Sequence, residues 1–134
     1  MVKAIRFDQT GGPEVMKWVD VEVGDPGPGE IRIRQTAVGL NYIDVYFRTG
    51  LYPLPLPGGL GMEAAGEVIA LGSGVSDLKT GDRVAYVARP PGAYAQERVL
   101  PAAQVIKLPD AVSDEQAASV MLQGLTAQYL LRRT

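Results

Sequence analysis

The chain has 134 residues, of which 46% are hydrophobic and 21% charged, and its net charge is −2. This length and balance predict a single folded domain and differ from those of disordered chains. The basic residues are scattered, which argues against a nucleic-acid or anionic-membrane surface. The chain has no cysteine and no histidine. Their absence excludes disulfides, thiolate chemistry, Ser-His triads and zinc sites built from nitrogen and sulfur ligands.

The apolar stretches are interrupted by Gly, Pro or charged residues well short of the roughly 20 residues that a membrane-spanning helix needs. Residues 1–6 run into an alternating pattern and lack the apolar segment of a signal peptide. We therefore expect a cytoplasmic protein with no nucleic-acid or membrane partner.

Short alternating segments separated by Gly and Pro predict a mainly β protein, either a barrel or a sandwich. The clearest segment places Ile31 and Ile33 on one face and Arg32 and Arg34 on the other. The predicted strands cover residues 2–7, 15–23, 30–38, 66–71, 83–87, 93–100 and 105–108.

The first predicted helix covers residues 41–48. It carries Ile43, Tyr46 and Phe47 at helical spacing, and Gly50 suits the left-handed residue that ends a helix. A short helix is therefore expected between the third and fourth predicted strands.

The C-terminal region predicts further helix. Ser113 and Gln116 have the spacing of a capping box, and a helical composition continues from there to the end of the chain. We expect Gly124 to divide this region into two helical segments. The second, residues 125–133, has an apolar face that needs a partner to cover it.

The segment around the first helix carries amide, carboxylate, guanidinium and phenol groups, which suit an aromatic ligand. A structural role is the alternative. In that case Tyr42 and Phe47 belong to the core, Asp44 and Arg48 form a surface pair one helical turn apart, and Asn41 caps the helix. The residues alone leave both interpretations open.

Residues 58–68 are rich in glycine but lack the strand–turn–helix setting of a phosphate-binding loop. We expect closely packed backbone here, with Glu63 as one partly buried acid.

Five segments taken in order resemble a known family. They are VGLNYIDVYFRTGLYP, GGLGMEAAGEVIALGSGV, GDRVAY, GAYAQERV and LPDAVSDEQAASVMLQGLTAQYLLRRT. They resemble the zeta-crystallin-like quinone oxidoreductase branch of the medium-chain dehydrogenase/reductase superfamily, over essentially the whole chain. The resemblance implies a GroES-like barrel, the catalytic or substrate domain, over residues 1–123, incomplete without a C-terminal return of the chain. Residues 124–134 would form a junction helix, the first helix of a Rossmann nucleotide-binding domain.

The resemblance also bears on metal binding. Zinc-dependent members of the superfamily carry Cys at the position of Asn41 and His at the position of Met62. Neither residue of this chain can replace those ligands, so the resemblance implies the zinc-free branch and no metal site.

The activity that the resemblance implies is NADPH-dependent reduction of quinones by hydride transfer, with semiquinones among the products of some relatives, in a homodimer. By position, Tyr52 is the candidate for a hydrogen bond to a quinone oxygen. The residues assigned to the nicotinamide end of the cofactor are Asn41, Tyr42, Ile43, Asp44, Val45, Tyr46, Thr126 and Tyr129.

Two alternatives stay open. The same branch reduces activated C=C bonds, so an NADPH-dependent enoyl or 2-alkenal reductase is the neighbouring activity. If the chain ends at residue 134, it would instead be a non-catalytic GroES-like module. The pyrophosphate and adenosine contacts are expected beyond that residue. The segment by itself is therefore expected to bind NADPH weakly and to be inactive.

Overall fold

The computed structural model describes residues 1–133, so Thr134, the last residue of the predicted junction helix, lies outside the described residues. The described part is mainly β, as predicted. The strands are β1 Val2–Phe7, β2 Lys17–Val21, β3 Glu30–Gly39, β4 Gly58–Gly59, β5 Glu63–Leu71, β6 Arg83–Val87, β7 Glu97–Pro101 and β8 Val105–Lys107. The helices are α1 Tyr42–Thr49 and α2 Asp114–Arg133, with short 3-10 turns at Pro13–Val15 and Ala102–Gln104.

The strands form two antiparallel sheets. A three-stranded sheet has the order β2-β1-β4, and a five-stranded sheet has the order β7-β3-β5-β6-β8. Strands β3 and β5 pair from Ile31 opposite Leu71 to Gly39 opposite Glu63. The register of this pair shifts twice, once at Ile69 of β5 and once at Thr36 of β3, and such irregularities bend a strand. This pairing places Glu63 beside the residues that lead into α1.

The predicted alternation of β3 is confirmed. Ile31 and Ile33 are fully buried in the main core, where each contributes about 1.5–3 kcal/mol. On the other face, Arg32 pairs with Glu97 of β7, while Arg34 reaches toward β5. The strand therefore separates the core from a polar surface.

Two further apolar clusters hold the helices. One joins α1, through Phe47, to Phe7 of β1 and to Met62. The other lies between α2 and the five-stranded sheet and consists mostly of alanine: Ala65, Ala85, Ala117 and Ala118, with Leu108. Small side chains let the helix backbone approach the sheet closely. The first turns of α2 are thereby packed on the five-stranded sheet.

Three strand predictions differ from the structure by two or more residues at an end. β5 begins at Glu63, so the glycine-rich segment enters a strand, and β4 is an additional pair of glycines. β2 is shorter than predicted because a 3-10 turn at Pro13–Val15 precedes it. β7 begins only at Glu97. The residues before it make irregular bonds to other segments, such as the 2.9 Å bond from the Tyr94 N–H to the Leu60 carbonyl oxygen.

The local helix signals are confirmed. Gly50 ends α1 with a φ of 84°, in the left-handed region. Ahead of α2, the Gln116 N–H donates to Ser113 Oγ at 3.2 Å, and the Ser113 N–H donates to Gln116 Oε1 at 2.9 Å. This pair of bonds is the predicted capping box.

The predicted division at Gly124 is wrong, because α2 is continuous from Asp114 to Arg133. A glycine inside a helix costs only about 0.5–1 kcal/mol relative to alanine, and its neighbours in the sequence favour helix. Nothing lies within 4 Å of the position that a Cβ at Gly124 would take, so close packing does not explain this glycine. Among residues 1–133, no helix is long and apolar enough to cross a membrane.

Candidate functional site

The start of α1 is anchored by a buried carboxylate. Asp44 is 4% exposed, and its Oδ2 accepts the N–H of Asn41, the N-cap residue, at 3.0 Å. The same oxygen accepts the Tyr94 hydroxyl at 2.9 Å, and Oδ1 accepts the Gly61 N–H at 3.1 Å. Asp44 therefore joins the loop before α1 to two other segments of the barrel.

Burial, the charge and hydrogen bond of Asp44, and the charge of Glu63 all raise the pKa of Tyr94 well above its usual value. The Tyr94 hydroxyl therefore keeps its proton over the whole physiological range and stays a donor to Asp44.

A second buried carboxylate lies next to the first. Glu63 is 1% exposed and not partly buried as expected. Its Oε1 accepts Asn41 Nδ2 at 2.7 Å, and its Oε2 accepts the backbone N–H of Leu122 in α2, also at 2.7 Å. One side chain thus contacts both the loop before α1 and the long helix.

The structural interpretation of the α1 segment is right in two respects and wrong in the others. Asn41 is the N-cap residue, and Phe47 belongs to the core. Tyr42 is 72% exposed and is not a core residue. Asp44 and Arg48 are both buried and do not form the predicted surface pair; Arg48 Nη1 instead donates to the Gly11 carbonyl oxygen at 2.6 Å. Tertiary contacts, rather than helix spacing, determine their partners.

An open groove of about 480 Å³ lies between the start of α1 and the middle of α2. Four residues assigned to the cofactor line it together, although they come from two distant parts of the chain. These are Asn41, Tyr42, Ile43 and Thr126. The other lining residues are Leu122, Gln123, Ala127 and Leu130.

The remaining assigned residues lie outside this lining. Tyr46 contacts Tyr42 and Tyr52 edge to face, with ring centroids 5.3 Å apart in each pair, so an aromatic row continues from the groove along α1. Tyr52, the candidate for the quinone, is 43% exposed at the end of this row. Val45 is half-buried on α1, and Tyr129 is 57% exposed on α2.

Size does not single out this groove, because other surface grooves have volumes of about 380–500 Å³. The feature that distinguishes it is that two of its lining residues, Asn41 and Leu122, both donate hydrogen bonds to the buried Glu63. Sequence reasoning missed Glu63, Tyr94 and Leu122 as members of this network. A carboxyl group in a glycine-rich strand was the available signal for Glu63, but its two partners lie 22 and 59 residues away in the chain.

The two positions that hold zinc ligands in zinc-dependent relatives have other roles here. Asn41 donates to Glu63, and Met62 is 4% exposed in the core beside α1. Within the described range, 1–133, no group of three or more His, Cys, Asp or Glu side chains is placed to hold a metal ion.

Known proteins match the chain along its length. The model of the alcohol dehydrogenase GroES-like domain matches residues 27–110. The quinone oxidoreductase of Pseudomonas aeruginosa is 56% identical over 135 residues, which is 100% of this chain and 42% of that protein. The 2-haloacrylate reductase of a Burkholderia species is 45% identical over 141 residues, with the same coverage of 100% and 42%.

Among solved structures, the Escherichia coli quinone oxidoreductase complexed with NADPH matches with a TM-score of 0.95 and 48% identity, covering 98% of this chain and 40% of that chain. The chain thus spans about two fifths of the length of these relatives. Fold and sequence similarity agree, and the chain belongs to the alcohol dehydrogenase GroES-like domain family.

Proposed function

We propose that the whole protein carrying this chain reduces quinones with NADPH, by hydride transfer and without zinc. The observation that carries the proposal is the 56% identity, over the entire chain, to the quinone oxidoreductase of Pseudomonas aeruginosa. The NADPH complex of the Escherichia coli relative supports the choice of cofactor. When bound, NADPH supplies the hydride, while the protein supplies orientation and exclusion of water.

The groove between α1 and α2 suits the nicotinamide end of the cofactor. Its lining combines apolar side chains with the amides of Asn41 and Gln123, and such a surface fits a flat ring that bears a carboxamide. The Thr126 hydroxyl donates to the Leu122 carbonyl oxygen at 2.8 Å, so its own oxygen can still accept a hydrogen bond. In this proposal Asn41, Tyr42, Ile43 and Thr126 contact the nicotinamide directly.

The aromatic row extends the site toward the substrate. Tyr46 supports Tyr42 and Tyr52 by edge contacts, and Tyr52 would donate its hydroxyl proton in a hydrogen bond to a quinone oxygen. Asp44 fixes the loop before α1 by accepting hydrogen bonds from the N–H groups of Asn41 and Gly61. Val45 and Tyr129 would complete the cofactor site from positions outside the groove.

The domain organisation is part of the proposal. Residues 1–123 form the GroES-like substrate domain, and the exposed end of α2, from residue 124 onward, leads into a nucleotide-binding domain. Leu125 and Tyr129 are more than half exposed there, which supports a covering partner. We also propose a cytoplasmic homodimer, on the resemblance to the quinone oxidoreductase branch.

A reductase of activated C=C bonds is the second candidate. The 45% identity to a 2-haloacrylate reductase favours it specifically. Both reactions deliver a hydride to an electron-poor conjugated system, so the same groove and aromatic row could serve either substrate.

Steady-state kinetics of the whole protein with a panel of quinones, enones and 2-haloacrylates decides between the two. We expect the highest kcat/KM with a quinone and with NADPH rather than NADH. A higher value for an enone or haloacrylate would favour the second candidate. No oxidation of NADPH with any acceptor would favour the non-catalytic module.

A further inference from the structure

Glu63 is a buried charge without a cation. It does not take part in any ion pair formed by the residues the structure describes. A buried carboxylate is costly unless hydrogen bonds satisfy it. Here the two donors are Asn41 Nδ2 and the Leu122 N–H, each at 2.7 Å. Among residues 1–133, the direct donors to Glu63 thus come from the loop before α1 and from α2.

These two donors belong to the two walls of the proposed nicotinamide groove. Asn41 is the N-cap of α1, and Leu122 lies in the ninth position of α2, well inside the helix. The bond from this N–H to a Glu63 oxygen constrains the position of α2 on the sheet, together with the packing of Ala117 and Ala118. Both donor residues also line the groove.

The packing around Glu63 leaves little room for adjustment. A Cβ at Gly39, the last residue of β3, would lie closer than 3.0 Å to the Ala118 carbonyl oxygen and to Cγ and Oε1 of Glu63. The glycine therefore allows β3, β5 and α2 to meet at one point. A shift of Glu63 would be transmitted to all three elements.

We propose that Glu63 is a positioning residue. It sets the distance between Asn41 and α2, so that the groove between them accepts the nicotinamide ring. This inference rests on the proposed function, because it takes the groove as the nicotinamide site. Glu63 acts through Asn41 and the backbone of Leu122 rather than by touching the cofactor.

The first test compares Glu63→Gln with Glu67→Gln in the whole protein. Glu67 lies on the same strand, but its carboxylate is at the surface and pairs with Arg34 at 2.6 Å, which makes it a matched control. The amide of Glu63→Gln cannot accept from both donors at once, so one of the two bonds is lost.

We expect Glu63→Gln to weaken NADPH binding by about 10-fold or more, and to lower kcat/KM by a similar factor through misplacement of the ring. Binding of the adenosine bisphosphate fragment of NADPH, which lacks the nicotinamide, should stay unchanged, as should all constants of the control. Equal losses for the fragment and for NADPH would overturn the inference, because they would show a general structural effect. Constants of Glu63→Gln that match the control would overturn it as well.

The second test exchanges the donor and the acceptor. In the double variant Asn41→Asp with Glu63→Gln, the amide NH2 at position 63 can donate to the carboxylate at position 41. The amide oxygen at position 63 can still accept the Leu122 N–H. The number of carboxylates at this point of the fold does not change. Hydrogen exchange at the Leu122 amide, without cofactor, reports the connection directly. We expect faster exchange in Glu63→Gln and restored protection in the double variant.

The double variant also covers the case in which Glu63→Gln does not fold. Recovery of fold and of Leu122 protection would support the inference, and a double variant no better than the single one would overturn it. If the wild-type protein does not bind NADPH, the proposed function itself fails, and the role of Glu63 toward nicotinamide fails with it. Wild-type binding with an unaffected Glu63→Gln variant contradicts only this inference.

Discussion

Tyr94 supports the site through one hydroxyl group. It donates to Asp44, and its raised pKa keeps that donor protonated. Asp44 in turn holds the N–H groups of Asn41 and Gly61. The loop that carries the assigned cofactor residues is therefore stabilised by contacts that lie beneath it.

We expect Tyr94→Phe to lower the free energy of unfolding by about 1–3 kcal/mol, because a buried carboxylate loses a donor. Urea unfolding measures this. Tyr129→Phe, which changes an exposed side chain, is the control and should leave stability unchanged. Equal stability of both variants would show that the hydrogen bond to Asp44 contributes little.

The aromatic row predicts a functional effect without loss of fold. Tyr46 makes its edge contacts with ring atoms, so Tyr46→Ala should lower kcat/KM for the quinone by about 10- to 100-fold, whereas Tyr46→Phe should change it little. Circular dichroism should remain native-like in both. An unfolded Tyr46→Ala variant whose surviving fraction has normal specific activity would contradict a functional role.

At the scale of elements, α2 consists of two unlike halves. The first half packs alanines on the sheet, and its start is held by Asp114, which accepts hydrogen bonds from Thr36 at 2.5 Å and from Arg83 at 2.7 and 2.9 Å. The second half, from Gln123 onward, is exposed. The first half of α2 therefore holds the helix on the sheet.

The anchored end predicts a pH dependence. Burial raises the pKa of Asp114, but the hydrogen bonds of Thr36 and Arg83 and the charge of Arg83 lower it more, so that the pKa in the folded chain lies below 3.8. A carboxyl group with a lowered folded-state pKa stabilises the fold above about pH 3.8 and loses this contribution as the pH falls through the folded value. The contribution is therefore fully present at pH 7.

We expect Asp114→Asn to reduce the free energy of unfolding at pH 7 by about 1 kcal/mol. The difference from wild type should shrink as the pH falls below 3.8. Urea unfolding of the chain at several pH values measures both, with the exposed Asp110→Asn as the control. A difference that is independent of pH would show that the charge of Asp114 does not contribute.

The exposed end of α2 predicts a difference in hydrogen exchange. Leu125 and Tyr129 are 54% and 57% exposed, and leaving such side chains in water forfeits roughly 1.5–3 kcal/mol each. Amides 125–133 should exchange quickly in the isolated chain unless it pairs with a copy of itself, and slowly in the whole protein. Strong protection of the same amides in a monomeric chain would contradict the junction role.

At the scale of the whole molecule, the lack of both His and Cys in these 134 residues limits the chemistry of this region. We expect the purified whole protein to contain no stoichiometric zinc bound by this region, and its activity to be insensitive to chelators, since Asn41 and Met62 cannot serve as ligands. Elemental analysis and assays with EDTA test this. The prediction would be contradicted if the protein held one equivalent of zinc and if substitutions in this region removed both the zinc and the activity.

The sequence predicted most of the local structure. The turn at Gly50 and the capping box at Ser113 are confirmed because their hydrogen bonds join residues three positions apart. The mainly β architecture is confirmed because alternation is a local pattern as well. Gly124 was misread, since a glycine signals a break only where nothing else stabilises the helix.

The residues that line the candidate groove were predicted only in part. Resemblance to a family selected Asn41, Tyr42, Ile43 and Thr126, which the fold brings to one groove. The burial of Asp44 was not predicted. Helix spacing shows only that Asp44 and Arg48 lie on the same face of α1, and it does not show which other segments cover that face.

The sequence by itself determined that the protein has no thiol and no imidazole chemistry in this region, where its turns and helix ends lie, and which family it resembles. Only the tertiary structure decided that Glu63 is buried and that it connects Asn41 to Leu122. The physical reason is the range of the interactions involved. Caps, turns and alternation depend on neighbours along the chain, whereas a buried carboxylate finds its donors through the pairing of β3 with β5 and the packing of α2 on both.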